Sequence, residues 1–81
     1  MTARVYVSPK RTVLDPQGQT IRASLASRGY GEIREVRQGK VFEIEVAEGA
    51  DAATARRHVE EIAHEILANP VIEEYRVEWT A

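Results

Sequence analysis

The two histidines are the residues of this chain best suited to bind a transition metal. His58 and His64 lie six residues apart in a segment with helical periodicity, which places them about 120° apart around the helix. They flank the apolar stripe of that helix on opposite sides and cannot bind one ion together. Glu61 and His64 form a Glu-x-x-His pair, but a di-metal bundle uses two such pairs with further carboxylates. The sequence therefore favours a solvated helix flank, and we predict no metal site.

Residues for nucleophilic catalysis are also missing. The 81 residues include no cysteine, and neither Ser24 nor Ser27 lies in a Gly-x-Ser-x-Gly elbow. Adjacent carboxylates occur at Glu60-Glu61 and Glu73-Glu74, but neighbours on a helix or strand point apart. We therefore predict no catalytic residue and no cofactor-binding residue on this chain.

A loop with two cations precedes the first predicted helix. Free backbone N–H groups and the helix dipole favour an anion at such a place, and an acylphosphatase would use this loop of a related fold. That enzyme would need a glycine-rich cradle with an arginine in this loop and an asparagine on the second strand pair, whereas "SPKRTVLDPQG" has one glycine. Asp15 is also a good N-cap, and its carboxylate competes for the same N–H groups. A phosphate site at this helix start is therefore disfavoured.

Charge and hydropathy exclude other classes of partner. A formal net charge of −2 and a pI of about 5.7 argue against a general nucleic-acid binder. An RNA-recognition domain would need outward aromatic residues on its third strand, where "KVFEIEV" instead presents Val41, Glu43 and Glu45. No apolar window has the length of a signal peptide or of a membrane span. The lack of cysteine suits a reducing compartment, and we predict a cytoplasmic location with neither nucleic acid nor membrane as partner.

The elements that would position these residues follow the order β-α-β-β-α-β, the split βαβ arrangement. We predict one domain over residues 1–81, of the α+β class, with an antiparallel sheet and two helices on one face (ferredoxin-like). The boundaries come from β-branched alternation, caps and turn residues: a strand at 4–8, a helix from Pro16 to Gly29, a hairpin with arms at 32–37 and 40–46, a helix from Asp51 to Asn69, and a strand at 71–79. The first hairpin arm is irregular because Ile33 and Val36 have opposite parity.

Residue patterns predict which side of the second helix is buried and which face of the sheet is open. The second helix carries a stripe of Ala55, Val59, Ile62 and Ile66, broadened by Ala63 and Leu67, and Tyr75 and Trp79 are predicted in the core. An open sheet face is predicted by parity at Arg4, Tyr6, Val41, Glu43, Glu45, Glu74, Arg76 and Glu78. Such a face can be solvated, with cross-strand ion pairs, or can meet a second protomer.

Three segments together resemble the PurS family. They are "VYVSPKRTVLDPQG" at 5–18, "VRQGKVFEIEV" at 36–46 and "ILANPVIEEYRVE" at 66–78, and the resemblance covers nearly the whole chain. It implies the small, non-catalytic subunit of the multi-subunit phosphoribosylformylglycinamidine (FGAM) synthase of purine biosynthesis, a glutamine-hydrolysing ligase. It further implies the partners PurL and PurQ, a homo-oligomer (dimer or tetramer), and a bridging role that aids ammonia transfer. ATP and magnesium are expected on the large PurL subunit, with no cofactor on this chain.

The resemblance and the loop composition give one set of candidate partner-interface residues: Lys10, Arg11, Leu14, Asp15, Pro16, Gln17, Gly18, Arg37, Gly39 and Lys40. Gly18 would let either a partner surface or this domain's own sheet approach the helix closely. The Arg-x-Gly-Lys turn is either a docking contact or a hairpin turn with solubilising cations. Two other functions stay open at this point: a dimeric regulatory domain that binds a small metabolite, and a small acyl-phosphate hydrolase.

Overall fold

A computed structural model describes residues 1–80 and shows a three-stranded antiparallel sheet with helices on the connections. Strand β1 (Thr2–Pro9) lies in the centre, between β2 (Lys40–Glu45) and β3 (Glu73–Thr80). Helix α1 (Pro16–Ser27) follows β1, and α2 (Ala52–Ile62) follows β2 and continues as a π-helical segment, Ala63–Leu67. The predicted α+β class and the antiparallel sheet with two helices are confirmed.

The core lies between the sheet and α2. Alternate residues of β1, namely Ala3, Val5 and Val7, are almost fully buried, because β1 is flanked on both edges and covered on one face. Val59 and Ala63 pack against them from the helical side. Partly buried side chains complete the core: Phe42, Ile44, Leu67, Tyr75, Val77 and Trp79.

The π-helical segment changes one predicted core position. The N–H of Ala68 donates to the carbonyl of Ala63 at 3.0 Å, a five-residue step that widens the last turn. Ile66, predicted in the apolar stripe, is 74% exposed as a result, whereas Ala63 is fully buried. The stripe therefore follows an α-helical period only up to Ile62.

The open face has the composition that parity predicts. Arg4 pairs across the strands with Glu43 and Glu78, and Tyr6 pairs with Val41 and Arg76. The Tyr6 hydroxyl donates to Glu78 at 3.0 Å, and the Arg76 guanidinium lies 4.3 Å from the Tyr6 ring centroid. Hydrogen bonds from Arg76 and then from Tyr6 lower the pKa of Glu78. Both cations of this face are therefore paired with carboxylates within the protomer, Arg4 with Glu43 and Arg76 with Glu78.

Helix α1 lies away from the sheet, which differs from the prediction that both helices cover one face. Gly18 is its only buried residue, whereas Ala55 and Val59 of α2 are buried. The described chain is accordingly elongated, with extents of 52 × 26 × 13 Å. The narrow apolar stripe of α1 is the physical reason, because a helix is held on a sheet by the apolar area it buries. Within residues 1–80, no helix has the length and apolarity needed to cross a membrane.

The segment predicted as the first hairpin arm does not join the sheet. Residues 32–37 have no ladder partner, and β2 begins only at Lys40 and pairs with β1. The opposite parity of Ile33 and Val36 explains this, since one strand face cannot bury both. The segment instead runs beside the start of α1.

Candidate functional site

The predicted interface residues lie at one place, where the loop 10–18 meets the segment 36–40; we call this place the junction. Asp15 joins its two parts as the N-cap of α1. Oδ1 accepts the N–H of Gly18 at 3.1 Å, and Oδ2 accepts the N–H of Gln38 at 2.8 Å. These bonds, that of Gln38 first, lower the pKa of Asp15, and the nearby Arg37 guanidinium adds to the effect. The carboxylate therefore acts as a clamp, and both its oxygens are used.

Gly18 marks a close approach within this chain. A Cβ at Gly18 would lie 2.1 Å from the carbonyl oxygen of Val36 and 2.9 Å from its carbonyl carbon. The neighbour is the segment before β2, and this location differs from both of the predicted alternatives, a partner surface and the sheet. The glycine is needed because the helix backbone and the Val36 backbone meet directly.

The Arg-x-Gly-Lys sequence is fixed to the end of β1 and forms no hairpin turn. The Arg37 guanidinium donates to the carbonyl of Pro9 and to Oε1 of Glu35, the latter at 3.2 Å. A Cβ at Gly39 would lie 2.4 Å from the carbonyl oxygen of Val7, so the backbone passes directly over β1 there. Arg37 therefore holds the second part of the junction to the end of β1, and Gly39 permits the close approach.

Two clefts flank Leu14, whose side chain is 67% exposed. The first has a volume of about 640 Å³ and is lined by four arginines as well as by Leu14 and Asp15; we call it the arginine cleft. The second, of about 580 Å³, has more apolar walls that include Pro9, Pro16 and Ile72; we call it the apolar cleft. Leu14 therefore projects from the ridge between two concave surfaces.

The structure brings the ten predicted residues together. Eight of them line the clefts: Arg11, Leu14, Asp15, Pro16, Gln17, Arg37, Gly39 and Lys40. Gly18 is buried, and the N–H of Lys10 donates to the carbonyl of Ile72 at 2.9 Å. Sequence reasoning missed several other lining residues, among them Val13, Arg22, Arg34 and Ile72. The positive charge of Arg22 and Arg34 was the only feature of the sequence that could have identified them. Only the tertiary path of residues 32–37 brings them next to Arg11.

Groups suited to metal binding or acid–base chemistry do not converge here. Among residues 1–80, no three His, Cys, Asp or Glu side chains lie close enough to hold a metal ion. The His64 ring packs edge-on against Tyr75, with ring centroids 6.2 Å apart. Burial, followed by a hydrogen bond to Glu60, raises the pKa of Tyr75, and Thr54 lowers that of Asp51 by capping contacts. These two shifts have structural causes away from the clefts.

Comparison with known proteins gives one consistent result. A family model described as "PurS: Phosphoribosylformylglycinamidine (FGAM) synthase" matches residues 2–81. The FGAM synthase subunit PurS of Bacillus subtilis (strain 168) is 41% identical over 75 residues, which cover 93% of this chain and 87% of the relative. The structure of B. subtilis PurS in its C2 crystal form superposes with a TM-score of 0.79 at 41% identity, over 95% of this chain and 94% of that one. A chain of the structure of PurLQS from Thermotoga maritima superposes with a TM-score of 0.74 at 28% identity, over 95% of this chain and 93% of that one.

Proposed function

Because the chain belongs to the PurS family of FGAM synthase subunits, we propose that it works by joining the other two subunits of that enzyme. It is a non-catalytic subunit, and its partners are the PurQ glutaminase and the PurL synthetase. The likeness to a chain of the PurLQS structure supports this assignment of partners. The enzyme converts formylglycinamide ribonucleotide, glutamine and ATP to the amidine, glutamate, ADP and phosphate, in the cytoplasm.

In this proposal the other two subunits carry out the chemistry, and this chain supplies only surfaces. The ATP and magnesium sites belong to the large subunit, and the glutaminase releases the ammonia. A subunit that aids ammonia transfer needs to hold two sites in line and to exclude water from the path between them. Such a role requires fixed surfaces, and it does not require acids or bases with shifted pKa values.

The observation that carries this proposal is the clamped junction. Asp15 ties the loop to the segment, Arg37 ties the segment to β1, and Gly39 lets the backbone come close to β1. A surface ordered before binding loses little conformational entropy when a partner docks. Leu14 projects from that surface beside two clefts, as an apolar anchor does in the centre of an interface. We therefore assign Leu14 and the apolar cleft to partner docking.

A second copy of the chain is also part of the proposal. The exposed apolar residues on and after α1 include Ile21, Tyr30 and Ile33, and this helix buries little against its own sheet. Small domains with a limited core commonly gain stability by association. The chain therefore forms a homo-oligomer, either a dimer or a tetramer, in which α1 is covered.

The experiment is reconstitution of the synthase from PurL and PurQ with and without this chain, with glutamine and then ammonium as nitrogen source. We expect glutamine-dependent amidine formation to require the chain. Leu14→Glu should weaken assembly by about 30-fold, the effect of losing an interface anchor worth about 2 kcal/mol. Ile66→Glu is the matched control, since Ile66 is 74% exposed and lies away from the junction; it should change assembly less than about twofold.

The activity of PurL and PurQ without this chain tests the joining role. Full glutamine-dependent activity without the chain would refute a joining role. Equal losses in Leu14→Glu and Ile66→Glu would remove the junction as the docking surface. Turnover of an acyl phosphate by the isolated chain would contradict its non-catalytic role.

A further inference from the structure

The arginine cleft combines an excess of positive charge, four arginines against Asp15 and Glu35, with a concave shape. It lies between the start of α1 and the segment 34–37, and its walls include Arg11, Arg22, Arg34 and Arg37. Its volume of about 640 Å³ is within the usual range for small-molecule sites, about 300–1,000 Å³. A concave surface with an excess of one charge also concentrates the electrostatic potential inside it. The chain as a whole carries a net charge of −2, so this cleft is a local exception.

The acidic groups of the cleft are already occupied. Both oxygens of Asp15 accept backbone N–H groups, and Glu35 pairs with Arg37 at 3.2 Å. In contrast, none of the carboxylates of residues 1–80 lies within 4.0 Å of the guanidinium nitrogens of Arg11, Arg22 or Arg34. Three guanidinium groups of the cleft are therefore free to bind an anion from solution.

We propose that the arginine cleft binds the phosphate group of a small molecule. The planar guanidinium group presents paired N–H donors that match phosphate oxygens, which makes arginine the preferred residue for such recognition. The site lies beside the start of α1 and does not use its N–H groups, since Asp15 caps the helix. The concave shape favours a small molecule over a flat protein surface. This inference does not depend on the docking role proposed above, because the cleft is formed within one chain.

The first test is a titration of the ¹⁵N-labelled full chain with inorganic phosphate, ADP and adenosine at low salt. Phosphate and ADP at millimolar concentration should shift the amide signals of Arg11, Arg22 and residues 34–37, whereas adenosine should not. Tighter binding of ADP than of phosphate would identify a nucleotide as the source of the group, and equal binding would identify phosphate itself. The absence of shifts at these residues, or equal shifts with adenosine, would overturn the proposal.

The second test uses paired variants of equal charge. Arg22→Gln with Arg34→Gln removes two cations of the cleft, and Arg28→Gln with Arg57→Gln removes two cations outside it. The first pair should weaken phosphate binding at least about tenfold, because each lost hydrogen bond is to a charged group; the second should change it less than about twofold. Equal weakening would show unspecific charge attraction. A defect confined to assembly with PurL and PurQ, with no phosphate binding by the wild-type chain, would show that the arginines bind an acidic protein surface and would overturn the small-molecule site.

Discussion

Gly18→Ala is the substitution that tests the junction most directly. The new Cβ would lie 2.1 Å from the carbonyl oxygen of Val36, whereas ordinary contacts begin at 3.4 Å. Both close atoms of Val36 belong to the backbone and cannot rotate away, so the segment must move by about 1.3 Å. This movement pulls the N–H of Gln38 away from Asp15, which it now meets at 2.8 Å. The substitution therefore opens the junction.

The expected magnitude follows from two opposing effects. Overpacking costs about 1–3 kcal/mol, and a backbone obstacle favours the upper end of that range. The higher helix propensity of alanine offsets at most about 1 kcal/mol of this cost, because Gly18 lies in the first turn of α1. We expect the free energy of unfolding to fall by about 2 kcal/mol, which lowers the midpoint of thermal unfolding by about 8–16 °C for a domain of this size.

The assay is urea unfolding followed by the fluorescence of Trp79, the only tryptophan, at one fixed protein concentration because association contributes to stability. Gly31→Ala is the matched control, since its Cβ would meet nothing within 4 Å and its φ is not left-handed. That variant should be neutral or more stable by about 0.4–1 kcal/mol. Wild-type stability of Gly18→Ala would refute the close approach to Val36. If such a stable variant also failed to support the synthase, the approach would belong to a partner.

Two further predictions concern the clamp and the exposed side of α1. Asp15→Asn should be less stable than wild type above pH 3.8, the ordinary pKa of the carboxyl group; because the folded pKa is lower, the difference should shrink as the pH falls through that folded value. Urea unfolding of both proteins between pH 2 and pH 6 measures this, and a difference that grows on acidification would contradict the clamp. Ile21→Glu should shift the chain towards single protomers in sedimentation velocity, since it places a charge where α1 needs an apolar partner. Ile66→Glu should not do so, and an unchanged oligomer in Ile21→Glu would place the contact between copies elsewhere.

Local sequence patterns were sufficient to predict much of the fold. Alternation predicted the open face correctly, since Arg4, Tyr6 and Glu78 do share it. Residue type and position predicted the N-caps Asp15 and Asp51. Each carboxylate accepts the backbone N–H of the residue three positions later in the sequence. These features depend on neighbours in sequence, where steric and hydrogen-bonding preferences act directly.

Features that depend on distant contacts were predicted less well. The parity conflict of Ile33 and Val36 showed that the segment is irregular, but it did not show that the segment leaves the sheet and passes Gly18. The exposure of Ile66 required the π-helical step at Ala68, for which periodicity gives no signal. Arg22 and Arg34 are twelve residues apart in sequence, and only the turn after α1 places them in one cleft.

The sequence by itself therefore determined the three strands of the sheet, the helix starts, the absence of cysteine chemistry and the family resemblance, because these depend on residue type and short-range spacing. The tertiary structure decided which residues form the exposed surface of the junction. It places the backbone of Val36 against Gly18 and the N–H of Gln38 on the carboxylate of Asp15, so that Leu14 and the arginines face outward. Such contacts form where the path of the chain satisfies many backbone groups at once, and no local pattern encodes that path.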